Sequence, residues 1–128
     1  MKPNPVVWFE IYVQDMSRAR KFYETVFQCQ LAELKSPEGE AQDMQMLSFP
    51  MDMSGPGAGG MLAKMDGVTS GGGGTLVYFG CEDCAVEQAR VEIAGGKVFK
   101  PKFSIGEYGY CALVTDTEGN CIGLHSMA

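Results

Sequence analysis

The sequence predicts an α+β fold made of two tandem β-α-β-β-β modules. Three observations predict it: a strand followed by a helix near the N-terminus, a repeat of that pattern in the second half, and further short apolar strands after each helix. We place the first module at about residues 4–66, a linker at 67–74 and the second module at about 75–128. A chain of 128 residues has the usual size of one domain, so both modules are assigned to a single domain, 1–128.

The first strand and helix carry the clearest pattern. Residues Val6–Val13 are β-branched or aromatic apart from Glu10, which favours a strand. In the run Ser17–Phe27 the apolar residues recur at helical spacing, which favours an amphipathic helix. Asp15 and Ser17 both suit the N-cap position, because a short side-chain oxygen there accepts a hydrogen bond from a free backbone N–H group.

The second half repeats this pattern after a shift of 67 residues, the separation of Trp8 from Thr75. Ser17 then falls on Cys84, which begins a second predicted helix, Cys84–Ile93. Between the halves, the glycine-rich Asp66–Gly74 is interpreted as a flexible hinge that leaves the relative placement of the modules open. The remaining strands are predicted at Glu40–Phe49, Gly60–Met65, Gly109–Thr115 and Asn120–Ser126.

Composition narrows the function classes. A net charge of −6 without a basic cluster argues against nucleic acid as a partner. No apolar run approaches the roughly 20 residues that span a bilayer, and the N-terminus lacks a signal-peptide core, so we expect a cytoplasmic protein with no membrane partner. Five cysteines, an odd number, indicate reduced thiols. Cys81 and Cys84 have the C-x-x-C spacing of zinc and redox sites, with a simple helix start at Cys84 as the favoured alternative.

Three segments carry a family resemblance: the run Val13–Tyr23, the repeated helix followed by Gly95-Gly96, and the closing run Asp116–His125. In their order and spacing the chain resembles the glyoxalase/bleomycin resistance protein/extradiol dioxygenase superfamily, also called vicinal oxygen chelate proteins. The resemblance implies that the two modules form a curved, incomplete barrel whose concave side binds a small-molecule ligand. It also implies a homodimer.

Metal enzymes of that superfamily hold a divalent cation with His and Glu side chains. The resemblance maps the ligand positions to Trp8, Ala63, Thr75 and Gly123. An indole only donates hydrogen bonds, Ala and Gly offer no donor atom, and a threonine hydroxyl alone is a poor ligand. We therefore predict no metal and no other cofactor, and the family's metal-dependent lyase activity is not carried over.

Strand alternation predicts which side chains share the concave face, because successive residues point to opposite sides of a sheet. If Trp8 faces the concave side, Phe9 and Ile11 pack under the first helix, and by the same rule Leu76 and Tyr78 pack under the second. The residues predicted on the concave side are Trp8, Glu10, Tyr12, Thr75, Val77, Phe79, Cys121, Gly123 and His125.

We thus predict catalytic roles for Glu10 and His125, with an exposed edge position for Glu10 and a surface or dimer-interface position for His125 as the alternatives. The predicted ligand-binding residues are Trp8, Tyr12, Thr75, Phe79 and Tyr108. Tyr108 lies in Lys100–Tyr110, which is either a lid or an ordinary hairpin connection. The favoured function is metal-free binding of a small organic molecule. The alternatives are a lyase or isomerase that uses Glu10 or His125 in acid–base chemistry, with or without a metal at non-standard positions, and a subunit whose purpose is dimerisation.

Overall fold

The computed structural model describes residues 1–35 and 44–128, so part of the predicted strand Glu40–Phe49 lies outside the described residues. The first module contains β1 (Val6–Tyr12), α1 (Met16–Phe27), β2 (Ala32–Glu33), β3 (Gln45–Ser48) and β4 (Gly59–Lys64). The second contains β5 (Thr75–Gly80), α2 (Cys84–Val91), β6 (Lys97–Ser104), β7 (Tyr110–Thr115) and β8 (Cys121–Ser126). The element order confirms the predicted β-α-β-β-β pattern in both modules.

The strands form one mixed sheet with the order β2-β3-β4-β1-β5-β8-β7-β6. Within each module the first strand runs parallel to the last, β1 to β4 and β5 to β8. The modules meet through antiparallel pairing of β1 with β5. Over the described residues the sheet stays open, with β2 and β6 at its edges, which confirms the predicted α+β incomplete barrel. Neither described helix has the length and apolar character that crossing a membrane requires.

Pairing of β1 with β5 also fixes how the modules sit relative to each other. The linker is held to the end of β1, where the Tyr12 backbone N–H donates to the Gly74 carbonyl oxygen at 2.7 Å. The Gln14 side-chain amide donates to the Val68 carbonyl oxygen at 3.0 Å. The interpretation of Asp66–Gly74 as a hinge is therefore wrong, because two paired central strands determine the placement that the hinge was expected to leave open.

The two helices begin at equivalent aspartates. The Asp15 carboxylate accepts a hydrogen bond from the Arg18 backbone N–H at 3.0 Å, and the Asp83 carboxylate accepts one from Ala85 at 3.0 Å. Since 83 − 15 is 68, the structural repeat has a shift of 68 residues and not 67. A slip of one residue moves every side chain of a strand to the other face. The predicted facing of β5 is wrong for this reason.

Each helix covers its own apolar core on the convex side of the sheet. Under α1 the buried residues are Leu31, Leu47 and Leu62, with Ile11, Val13, Ala19 and Tyr23 packed against them. Under α2 they are Cys84, Ala112, Val114 and Leu124, with Phe79, Cys81, Val91 and Ile122 packed against them. Phe79 thus takes the place that Ile11 has in the first module, and Leu76 and Tyr78 face the concave side.

The C-x-x-C pair belongs to the core under α2. Cys84 is fully buried at the start of the helix, and its backbone N–H donates to the Ser126 hydroxyl at 3.0 Å. Burial, with the nearby Glu87 carboxylate as a smaller cause, raises the pKa of the Cys81 thiol to about 11. A thiol that stays protonated at neutral pH is a weak nucleophile and a weak metal ligand. The packing therefore fits the helix-start interpretation of Cys84.

Candidate functional site

A buried carboxylate lies at the centre of the concave face. Glu10, on β1, is 7% exposed. The Tyr12 hydroxyl donates to Glu10 Oε1 at 2.8 Å, and the Trp8 indole Nε1 donates to Glu10 Oε2 at 3.3 Å. Side chains two residues apart on a strand point to the same face, so β1 alone brings these three groups together. Their predicted common face is confirmed.

The second module adds Tyr78 to this cluster. In the pairing of β1 with β5, Trp8 lies opposite Tyr78 and Glu10 lies opposite Leu76. The Tyr78 side chain also forms a hydrogen bond with the Glu10 carboxylate. On the neighbouring β8, a Cβ atom added at Gly123 would collide with the Tyr78 ring, so the missing side chain makes room for that ring.

Tyr78 is the site residue that sequence reasoning missed. The signal was present, since alignment of the two N-cap aspartates places Glu10 on Tyr78 and Trp8 on Leu76. The shift of 67 instead placed Trp8 on Thr75 and moved the whole strand to the wrong face. Helix caps, which are fixed by hydrogen-bond chemistry, are thus better anchors for aligning these modules than the apolar pattern.

Electrostatics at the site follow from burial. Removal from water raises the pKa of Glu10 above its ordinary value of 4.5, and hydrogen bonds from Tyr12, Tyr78 and Trp8 oppose the rise. Burial and the neighbouring Glu10 charge raise the pKa of both tyrosines. The two phenols therefore keep their protons at neutral pH and remain hydrogen-bond donors.

The carboxylate is surrounded by an apolar wall that both modules supply. Trp8 and Tyr12 contact buried clusters on either side of β1, one from each module. The wall residues are Met46, Met61, Ala63, Leu76, Cys111, Phe103, Ile105 and Leu113. Trp8 and Tyr12 retain partial exposure, whereas Glu10 is almost fully buried between them.

Two predicted ligand-binding residues lie away from this cluster. Thr75 is exposed at the start of β5 and pairs with Ile11, on the helix side of the sheet. Phe79 packs in the core under α2. Their predicted concave placement is corrected to the convex side, and the concave positions on β5 belong to Leu76 and Tyr78.

His125 is not brought next to Glu10. Its Nε2 lies 2.7 Å from the Tyr108 carbonyl oxygen, and because a carbonyl only accepts, Nε2 donates. His125 pairs with Gly80, whereas Glu10 pairs with Leu76. Those two positions are four residues apart on β5, a separation of about 13 Å at the usual rise per residue. The predicted acid–base pair is therefore not assembled, and the hydrogen-bonding partners of Glu10 are Trp8, Tyr12 and Tyr78.

The predicted lid, Lys100–Tyr110, is built as a hairpin. Strand β6 continues to Ser104, and a 3-10 helix (Gly106–Tyr108) connects it to β7. Phe103 and Ile105 point into the concave wall, while the Tyr108 side chain is 42% exposed. Tyr108 therefore contacts His125 through its backbone, and its predicted role in ligand binding stays a prediction.

The concave face does not fit the divalent cation of the superfamily's metal enzymes. Of the four mapped positions, Ala63 and Gly123 face the concave side without donor atoms, and Leu76 replaces Thr75 there. Across residues 1–35 and 44–128, no three His, Cys, Asp or Glu side chains are grouped so that they could hold a metal ion. We derive no reaction step through such an ion.

Comparison with known proteins agrees with this architecture. A family described as Bleomycin resistance protein-like N-terminal matches residues 6–38. A comparison with curated protein sequences finds no significant match. Among solved structures, a variant of Streptomyces coelicolor methylmalonyl-CoA epimerase, in complex with 2-nitronate-propionyl-CoA, is similar with a TM-score of 0.66 and 17% identity over 97% of each chain.

Two further structures extend the comparison. The methylmalonyl-CoA epimerase of Mycobacterium tuberculosis is similar with a TM-score of 0.67 and 14% identity, over 100% of this chain and 93% of that one. A hypothetical protein from Bacillus halodurans has a TM-score of 0.68 and 12% identity, over 98% of this chain and 95% of the other. At such identities the likeness establishes the fold.

The shared architecture defines an α+β protein built on one open mixed sheet. The N-terminal family match and this fold both support the resemblance to the glyoxalase/bleomycin resistance protein/extradiol dioxygenase superfamily that the sequence predicted.

Proposed function

We propose that the protein binds a small organic molecule on its concave face, and that the ligand carries a protonated nitrogen that pairs with Glu10. The observation that carries the proposal is the environment of this carboxylate. It is 7% exposed, and the groups that donate hydrogen bonds to it, from Trp8, Tyr12 and Tyr78, are all neutral.

A buried carboxylate without a cationic partner is costly, because hydrogen bonds replace only part of its lost hydration. A ligand that brings a positive charge removes this cost when it binds. Indole and phenol rings also attract cations through their negative faces. The apolar wall then accepts the body of the ligand, as in small-molecule sites that combine an apolar lining with a few polar anchors.

Access to Glu10 sets a further condition on the ligand. The side chains around the carboxylate are packed, and Trp8 and Tyr12 are its partly exposed neighbours. A ligand therefore reaches Glu10 by moving one of these two rings, and it exchanges a ring-to-carboxylate hydrogen bond for its own. The names of the structural relatives support ligand binding on this fold, while the ligand class proposed for this chain rests on Glu10.

A thermal-shift screen with matched probes tests the proposal. Aryl-alkylamines and the corresponding alcohols are compared at equal concentration, since a ligand that binds only the folded state raises the melting temperature. We expect the amines to raise it and the alcohols not to. The Glu10→Gln variant should lose the amine effect, and the exposed control Glu33→Gln should keep it. Equal responses to amines and alcohols would contradict the ionic anchor, and no response to any probe would contradict binding.

A second candidate function is acid–base catalysis by a lyase or isomerase. The raised pKa of Glu10 favours it, because such a carboxylate is a stronger base, and the protonated Tyr12 and Tyr78 beside it are suitable acids. Glu10 would abstract a proton next to a carbonyl group. The test is incorporation of deuterium from D₂O into methylmalonyl-CoA: wild-type protein should catalyse it and Glu10→Gln should not. Absence of exchange in both leaves binding as the function.

A further inference from the structure

Methionines are abundant and concentrated beside Trp8. The chain has nine, and six of them lie in or around β3, β4 and the loop that joins these strands. Met46 and Met61 are buried in the wall that contacts Trp8. Met51 and Met53, in contrast, are 43% and 72% exposed on the loop and are separated by a single residue.

The two loop methionines converge on one point. A Cβ atom added at Gly59 would lie 3.0 Å from the Met51 sulfur, 3.5 Å from the Met53 sulfur and 3.2 Å from Cζ3 of the Trp8 ring. The two sulfur atoms are therefore no further apart than the sum of the first two distances. Exposed methionines ordinarily extend into solvent independently, whereas both of these sulfur atoms lie close to one point beside Cζ3 of the Trp8 ring.

This set of donors has a defined chemical preference. Thioether sulfur is neutral and soft, so it selects soft monovalent ions over hard divalent cations and zinc. The indole ring adds a negative face that attracts a cation within about 6 Å. The net charge of −6 favours a cationic ligand at long range as well. The carboxylate of Asp52, between the two methionines, accepts hydrogen bonds from the Ser54 backbone N–H and hydroxyl.

We propose that Met51, Met53 and Trp8 form a binding site for a soft monovalent metal ion, Cu(I) or Ag(I). The site lies at the rim of the concave face and does not depend on the organic ligand proposed above. Packing of sulfur against an aromatic ring also explains why the Met51 and Met53 sulfur atoms lie near the Trp8 ring. Sulfur–aromatic packing alone predicts no affinity for a metal ion. A titration with the metal ion therefore distinguishes a packing contact from a binding site.

The test uses the full chain with ¹³C-labelled methionine methyl groups, titrated with Ag(I) in a chloride-free buffer. Ag(I) is added beyond five equivalents, enough to occupy every thiol that it can reach in the folded protein, and only later binding is followed. We expect the methyl signals of Met51 and Met53 to shift well before those of Met1 and Met127, which are 91% and 67% exposed and serve as internal controls. Fluorescence of Trp8, the single tryptophan, should be quenched in the same step.

Variants complete the design. The double change Met51→Leu and Met53→Leu keeps side-chain volume and should abolish the Trp8 quenching step, while Met65→Leu should leave it unchanged. Gly59→Ala puts a methyl group where the sulfur atoms converge and should weaken binding by about tenfold, equivalent to about 1.4 kcal/mol. If Met51 and Met53 shift together with Met1 and Met127, or not at all, the site does not exist. Quenching that survives in the double variant overturns the proposal equally.

Discussion

The central strands of the two modules, β1 and β5, have the same place in the fold and different chemistry. Aligned on their N-cap aspartates, Trp8, Glu10 and Tyr12 correspond to Leu76, Tyr78 and Gly80. Strand β1 supplies the charge and two donors, and β5 supplies a phenol and apolar surface. The duplication thus builds a symmetric scaffold whose site is asymmetric, and neither module completes the site alone.

The largest losses of stability are expected in the two apolar cores, which have equivalent places under α1 and α2. Leu62 on β4 is fully buried under α1, and Leu124 on β8 is 6% exposed under α2. Each change to Ala removes buried methyl groups and should lower the free energy of unfolding by about 2 to 5 kcal/mol. Urea denaturation followed by circular dichroism measures this. Because β1 and β5 join the modules in one sheet, we expect a single transition in both variants, and two separate transitions would show independent modules.

Alanine substitutions at two glycines, Gly60 and Gly123, separate effects on the stability of the fold from effects on the binding site. An added Cβ atom would collide with the Phe9 ring at Gly60 on the helix side, and with the Tyr78 ring at Gly123 on the concave side. Gly60→Ala and Gly123→Ala should each destabilise the fold by about 1 to 3 kcal/mol through overpacking. Only Gly123→Ala should also weaken amine binding in calorimetry, since it displaces a partner of Glu10. Equal loss of binding in both variants would show that stability alone controls binding.

The pH dependence of stability should reveal the buried charge of Glu10, which has no charged counterpart on β5. A carboxyl whose pKa is raised on folding stabilises the folded state below its unfolded pKa, and this contribution is lost as pH rises through the folded pKa. For Glu10 the loss begins near the ordinary value of 4.5. Relative to Glu10→Gln, the melting temperature of the wild-type protein should therefore fall as the pH rises above about 4.5. A difference between the two proteins that does not change with pH would contradict the burial of a charge at this position.

The smallest effect expected is the difference in melting temperature between variants that lack one of the two N-cap aspartates. Asp15 caps α1 only, whereas Asp83 caps α2 and also forms an ion pair with Lys102 at 2.9 Å. The hydrogen bond from Lys102 is the largest cause of the lowered pKa of Asp83. Asp83→Ala should lower the melting temperature slightly more than Asp15→Ala, and the excess should shrink in high salt, which screens exposed ion pairs. An excess that is insensitive to salt would exclude the ion pair as its cause.

The sequence pattern predicts the architecture well because it is set by local signals. Apolar periodicity and the N-cap position each depend on neighbours along the chain. The face of β1 is predicted correctly for the same reason, since Trp8, Glu10 and Tyr12 follow simple alternation. These residues lie on one strand, and no long-range pairing is needed to bring them together.

The second half of the site could not be predicted as well, because it depends on register between modules. An error of one residue in the repeat put Thr75 and Phe79 on the concave side and Tyr78 under the helix. The expected pair of Glu10 and His125 failed for a related reason. Alternation predicts a shared face but gives no position along the neighbouring strand, and the two residues lie at different levels of β5.

The central claim is that phenols from both modules hold a buried Glu10 carboxylate. It is tested most directly by following the Glu10 side-chain ¹³C signal through a pH titration. The account predicts a pKa above 4.5 in wild-type protein and a further rise in Tyr78→Phe, which loses a donor to the carboxylate, but no further rise in Tyr23→Phe on the helix side. An ordinary pKa in wild-type protein, or equal values in both tyrosine variants, would contradict it.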